Sequence, residues 1–237
     1  MPQLLFVGAH PDDELYAAGL LAALAQRGVR VHLLCLTRGE GGTLGNPPVA
    51  TRETLGAVRE GELRKSAAAL GIGTVELLGY VDPLPDGKAR APEVQPDALG
   101  RQISSIAERL QAAAILTHGS NGEYGHPAHR LVHEAVGSLN GEGPVLYTFN
   151  AAAPGVSLWG GVNRDDPADL TFDSTPVREA KLRAFEAHVS QHSLWLRPEG
   201  PKTLDEHVRY HAAWEAFRRH GPAESLDPLR EWLATGR

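Results

Sequence analysis

The 237-residue chain is 42% hydrophobic and 22% charged, the composition of an ordinary globular protein with enough material for one large core. Its formal charge of −6, with no basic cluster interleaved with aromatics, excludes nucleic acid as the main partner, because phosphate neutralisation needs a basic face. Cys35 is the only cysteine, which excludes a disulfide framework or thiolate metal cage; no apolar run approaches the roughly 18 residues of a membrane span, and the start lacks a basic leader, so a cytoplasmic protein is expected.

The first two thirds alternate strand-like and helix-like patterns. "QLLFVGA" (3–9) is a continuous apolar run, as expected of a strand covered on both faces. "ELYAAGLLAALAQRG" (14–28) has helical spacing and ends on Gly28. "VRVHLLCLT" (29–37) reads as a second strand and contains His32 and Cys35, both expected to be structural. After a Gly/Pro-rich loop, 51–73 predicts a helix, "TVELLGY" a strand, "PDALGRQISSIAERLQAA" a helix, "AAILTHG" a strand, "HPAHRLVHEAVGSL" a helix and "GPVLYTF" a fifth strand. Residues 150–173 are rich in turn formers, with one short strand expected. Two helical segments, about 176–191 and 203–220, close the chain.

Strands alternating with helices call for right-handed crossovers and a parallel sheet. The expected fold is a Rossmann-like, doubly wound α/β domain over 1–237, with a 3-2-1-4-5 core, helices on both faces and a C-terminal helical addition. In such a sheet, ligands bind outside the carboxyl ends of strands 1 and 4, where the order reverses. The loop after strand 1 is "AHPDDE", and that after strand 4 is "THGSNGEYGHPAH" (117–129). These are the two densest polar clusters in the chain, and the topology brings them together. A dinucleotide site would need G-x-G-x-x-G here; G-A-H-P-D-D puts carboxylates where phosphate would sit, which suits a cation.

A catalytic zinc takes three ligands from His and Asp or Glu and keeps a position for water. His10 and one of Asp12 and Asp13 can supply two, and His126, His129 and His133 are candidates from the second loop, with His133 a turn deeper. The bland alternative for "AHPDDE" is a helix start capped by its own acids. Residue types alone leave open which aspartate binds metal and which activates water.

"AHPDDE" with "GHPAH" resembles the LmbE/PIG-L family of zinc-dependent N-acetylglucosaminyl deacetylases, and "LTRGEGGT", "VREGELRKSAAALGI", "YVD" and "KLRAFEAHVSQ" extend the resemblance through most of the chain. It implies His10, Asp13 and His129 as ligands of Zn2+, or of another divalent ion such as Fe2+. It implies Asp12 as general base, His126 as oxyanion stabiliser or amine acid, and Tyr124 assisting beside the substrate. Arg59 and Asp82 match positions that contact the sugar. The chain departs at Ala128, where many relatives carry Asp.

The bland readings are an exposed helix face for Arg59 and a turn former for Asp82. His188 and Gln191 are either crevice-lining or packed, and His118 is a support for the second loop. His207 and His211, at i, i+4, lack the glutamate and third ligand of a helical zinc site. The expected activity is release of acetate from an N-acetylglucosamine-containing small molecule, N-acetylglucosaminyl malate being one example. The alternatives are an amidase of thiol–sugar conjugates or a non-catalytic metal- or sugar-binding protein. The expected partner is a small amino sugar, with no nucleic acid and no membrane span, and a homo-oligomer is left open. Loops 38–52, 79–96 and 150–170 are expected to shape the pocket.

Overall fold

The structure is a computed structural model and describes residues 1–139, 143–221 and 227–235. Five parallel strands form its centre: β1 (Gln3–Gly8), β2 (Arg30–Thr37), β3 (Thr74–Tyr80), β4 (Ala114–Thr117) and β5 (Val145–Phe149). Helices α1 (Ala18–Gln26), α2 (Leu55–Leu70), α3 (Pro96–Leu110) and α4 (Pro127–Gly137) connect them. The order 3-2-1-4-5 is as the alternation predicts.

Period-two burial on both faces explains the continuous apolar runs. Leu4 and Phe6 of β1 join one core with Leu20 and Leu24 of α1 and Leu63 of α2. Leu5 and Val7 face the other way, into a core with Leu99 and Ile103 of α3 and Val132 of α4. With both faces covered, the polar chemistry is confined to the strand ends, and Val7 pairs with Thr117 where β1 and β4 finish.

The last third departs from the expected helical addition. Residues 150–173 contain three short strands: β6 (Ala151–Ala152), β7 (Asn163–Pro167) and β8 (Leu170–Asp173). Helix α5 (Arg178–Ala187) forms as expected, but the segment 203–220 does not remain helical. It runs through a short helical and π turn to His211 and then becomes β9 (Trp214–Arg219), antiparallel to both β5 and β8. The sheet is thus extended to 3-2-1-4-5-9-8, and helix α6 (Pro228–Ala234) follows.

Tertiary contacts override the helical composition of "AAWEAFRR". Phe217 enters the core, and Glu215, two residues earlier, reaches the start of α1. There its carboxylate accepts from Gly19 N at 2.7 Å and Leu20 N at 2.8 Å. These are orphan donors of a helix whose own N-cap, Ala17, offers no side-chain bond. A side chain at Gly19 would collide with Ser174 and Glu215, so this approach requires glycine. Lys181 of α5 completes the charge at 2.6 Å, with both ends buried. Among the described residues no helix is long and apolar enough to cross a membrane.

Lys181→Met leaves Glu215 buried without its counter-charge and is expected to cost about 3–5 kcal/mol. Urea denaturation measures this, and a loss below about 1 kcal/mol, the scale of exposed pairs, would refute the buried-pair account.

Candidate active site

The loop after β1 turns back so that Asp13 folds over the strand end. Its Oδ2 accepts from Ala9 N and His10 N, each at 2.7 Å, and lies 3.1 Å from His118 Nε2. Its Oδ1 points to His129 Nε2 at 3.3 Å. Burial pushes the Asp13 carboxyl up, but His129 and His118 hold it well below the usual carboxylate range. One oxygen is saturated by the protein, and the other faces the site.

The loop after β4 supplies the imidazoles. His129 sits in the first turn of α4, and its Nδ1 lies 2.6 Å from Glu123 Oε2, so the Nδ1 proton faces Glu123, and Nε2, which faces Asp13, can serve a cation once it gives up its own proton. The same Glu123 oxygen takes His118 Nδ1 at 2.8 Å. Glu123 is itself held by Gly119 N and Asn163 Nδ2 on Oε1, at 3.0 and 3.1 Å. Although burial opposes it, His118 and His129 keep Glu123 strongly ionised. Burial alone would lower His129; the Asp13 and Glu123 carboxylates raise it to about 10. A buried pair of anions therefore demands positive charge between them, from a proton or a metal ion.

His10 closes the third side, with Nδ1 3.8 Å from Asp13 Oδ2 and Nε2 3.4 Å from Asp82 Oδ1. Single nitrogens of His10, His126 and His129 lie within 4.8 Å of one another, as do donor atoms of Asp13, His118 and His129. Both groups contain His129, so the donor set suits a small divalent cation. His126 differs from the others because its Nδ1 accepts from Ala128 N at 3.3 Å. A backbone N–H can only donate, so the ring proton lies on Nε2; ligation by Nε2 would require an imidazolate. Burial and the neighbouring His10 and His129 lower His126 to about 3, so it is a neutral donor. Ala128 supplies this bond from its backbone, so the departure from Asp leaves it intact.

Asp12 makes no helix-capping bond and stands in a left-handed conformation, φ 107°. Burial raises it to about 6, with Asp13 and Glu14 adding to the rise and Arg59 opposing it. Arg59 is buried, contrary to an exposed helix face. Its Nη2 lies 3.2 Å from Asp12 Oδ1 and also bonds Pro11 O, and its Nη1 donates to Gly39 O at 3.1 Å. A Cβ at Gly39 would occupy the place of that guanidinium. Asp82 is no simple turn former: it accepts from Gly41 N at 3.1 Å and orients His10. Tyr124 is exposed and packs edge-on to His126 and His129, with ring centroids 5.7 and 5.5 Å away.

All eight predicted site residues line one cavity of about 770 Å³. Parts of the three expected loops line it too, as do Gln191, His207 and His211 from the two segments read as helices and Trp195 from between them. His207 is buried among Trp159, Phe185 and Trp195. His133 Nδ1 donates to His118 O at 3.0 Å, and His188 is buried against Glu14. Sequence reasoning missed Glu123; its one sequence signal is its place between the histidines of the second loop, flanked by Gly122 and Gly125.

Residues 5–139 match the family model described as PIG-L, GlcNAc-PI de-N-acetylase. The chain is 33% identical, over 79% of its length and 80% of the relative's, to a probable N-acetyl-alpha-D-glucosaminyl L-malate deacetylase 2 of Bacillus anthracis. Among solved structures, it is similar to the N,N'-diacetylchitobiose deacetylase of Pyrococcus horikoshii, with a TM-score of 0.66 and 21% identity over 92% of this chain and 83% of that one. The 4-carboxy-2-hydroxymuconate hydratase GalB of Pseudomonas putida gives the same TM-score, 0.66, at 22% identity over 96% of this chain and 99% of that one. The fold therefore serves more than one reaction, and chemistry must be argued from the site.

Glu123→Gln keeps the shape but removes the charge that orients His129. Divalent-metal affinity is expected to fall about 10–100-fold, the usual cost of losing such a partner. Competition with a chromophoric chelator reads this directly, and an unchanged affinity would take Glu123 out of the metal site.

Proposed function

The chain belongs to the PIG-L family of de-N-acetylases, and on that premise we propose that it is a zinc-dependent hydrolase releasing acetate from an N-acetylglucosamine-containing small molecule. One observation carries the reading: two overlapping donor groups, His10 with His126 and His129, and Asp13 with His118 and His129, converge beside a carboxylate, Asp12, that is engaged by Arg59 rather than by the cluster. A binding protein needs the donors but has no use for a spare carboxylate with a raised pKa. The similarity to a glucosaminyl malate deacetylase supports a glycoside of malate as one candidate substrate. The 1–237 span is proposed as a single deacetylase domain.

His10, Asp13 and His129 would hold the cation. A divalent ion there lowers the pKa of water toward ~7 and polarises an acyl carbonyl. Asp12 takes the proton from the attacking water as its oxygen bonds to the carbonyl carbon. His126 Nε2–H donates to the developing oxyanion, and the Tyr124 hydroxyl is a second donor at the cavity wall. Asp12 then returns its proton to the amide nitrogen; the C–N bond breaks, and acetate and a free amine leave. Arg59 keeps Asp12 aimed and partly offsets its burial.

Metal analysis combined with a screen of N-acetylglucosamine derivatives for acetate release tests the proposal. Absence of stoichiometric divalent metal, even after reconstitution, would sink it. Asp12→Ala is expected to retain metal and lose about 10²–10⁴-fold in kcat; normal turnover would end the assignment of the base.

The pH profile gives a signed test of Arg59. The base works ionised, so kcat/KM falls as pH drops through the Asp12 pKa, about 6 without the cation and lower with it. Arg59→Met removes the charge that opposes protonation, so the acid limb should move to higher pH. A raised KM with an unmoved limb would assign Arg59 to substrate binding alone.

A further inference from the structure

Glu14 is buried beside the site, yet it faces neither the cluster of imidazoles nor the cavity. Its Oε2 accepts from the backbone N–H of Asp12 at 3.1 Å. Its Oε1 is fixed from the far side by Ser66 Oγ at 2.5 Å and His188 Nε2 at 2.6 Å. Ser66 lies on α2 and His188 just beyond α5, so two helices aim one carboxylate at one amide.

That amide belongs to a residue with an unfavourable backbone. Asp12 is a non-glycine residue at φ 107°, outside the common left-handed basin, and such conformations persist only where the surroundings over-determine them. Arg59 grips the Pro11 carbonyl and the Asp12 carboxylate, while Glu14 grips the Asp12 N–H between them. If the N–H contact is lost, the peptide can rotate toward negative φ, and the carboxylate swings with it.

We infer that Glu14 is a positioning residue: its carboxylate, aimed by Ser66 and His188, holds the strained Asp12 backbone in the one orientation that presents the Asp12 carboxylate to the attacking water. The catalytic part of this inference rests on the reading of Asp12 as the base. The geometric part stands without it. Glu14 makes no contact with substrate or cation and acts only through Asp12, while His188 and Ser66 act through Glu14.

Glu14→Leu, similar in size but with no acceptor, is expected to lower kcat about a hundredfold, the scale of a 1 Å misplacement at a reacting group. KM and zinc stoichiometry should stay unchanged, a split that general destabilisation would not produce. Glu14→Gln keeps an oxygen for the Asp12 N–H and should recover most of kcat. A crystal structure of the zinc-loaded Glu14→Leu variant reads the geometry without turnover, and Asp12 should leave positive φ or turn its carboxylate from Arg59. If Glu14→Leu does not fold, Ser66→Ala carries the same readouts with a smaller loss of kcat. Asp12 unmoved in the variant structure, or equal kcat losses in the Gln and Leu variants, would overturn the inference. Normal turnover by Asp12→Ala would instead remove the base assignment, and the variant structure would still decide whether Glu14 sets the Asp12 backbone.

Discussion

The site depends on how the Asp13 carboxylate divides its two oxygens. Oδ2 is consumed by the chain itself, by two backbone amides of its own loop and by His118 from the neighbouring strand end. Oδ1 remains directed at His129. This division stitches the β1 loop to the β4 loop and leaves one anionic donor in a nearly dry place. Glu123 supplies the opposite wall, and the two histidines lie between the two carboxylates. Desolvation should neutralise such acids, but the imidazoles keep them charged, and that charge suits a cation.

The parallel core was legible in the sequence because strands buried on both faces, such as β1 and β4, leave continuous apolar runs, and helical patterns alternate with them; β3, at the sheet edge, is only partly buried. The place of the candidate site was legible because His10, Asp12, Asp13, His126 and His129 crowd two short segments that the strand order places together on one cavity. Other features had no local trace. Arg59 and Asp82 carry the signature of solvent-facing residues until a partner far along the chain buries them. Glu123 aligns with His118 and His129 only because Gly122–Gly125 is an irregular turn, with Glu123 itself at φ 58°, rather than a regular helix. The β9 segment has a helical composition, and only the core contact of Phe217 and the bonds of Glu215 make it a strand.

Asp12 and Glu123 share a construction. Both are acids at positive φ, on opposite sides of the cluster, and each has its backbone N–H held by another side chain, Glu14 for Asp12 and Asn163 for Glu123. Conformations of this kind cost about 1–3 kcal/mol each. The expense recurs where a carboxylate must leave its local element and face a point in space. Neither acid serves its own helix: the start of α1 is capped from β9 instead, which frees the acids of the first loop for the site.

That remote cap ties the beginning of the chain to its end. Residues 3 to 149 can lay down five strands as they leave the ribosome, yet α1 has its N-terminal amides bonded only once Glu215 has been synthesised. The Trp159 and His207 wall of the cavity likewise comes from the last third. Domains tend to fold as units during synthesis, and contacts between distant parts of a chain form late. A nascent chain stopped short of β9 would therefore carry all the proposed metal donors on a sheet whose fifth strand has an open edge. In order of synthesis, the candidate donors precede the residues that complete the chamber wall, and the chamber waits for the C-terminal third.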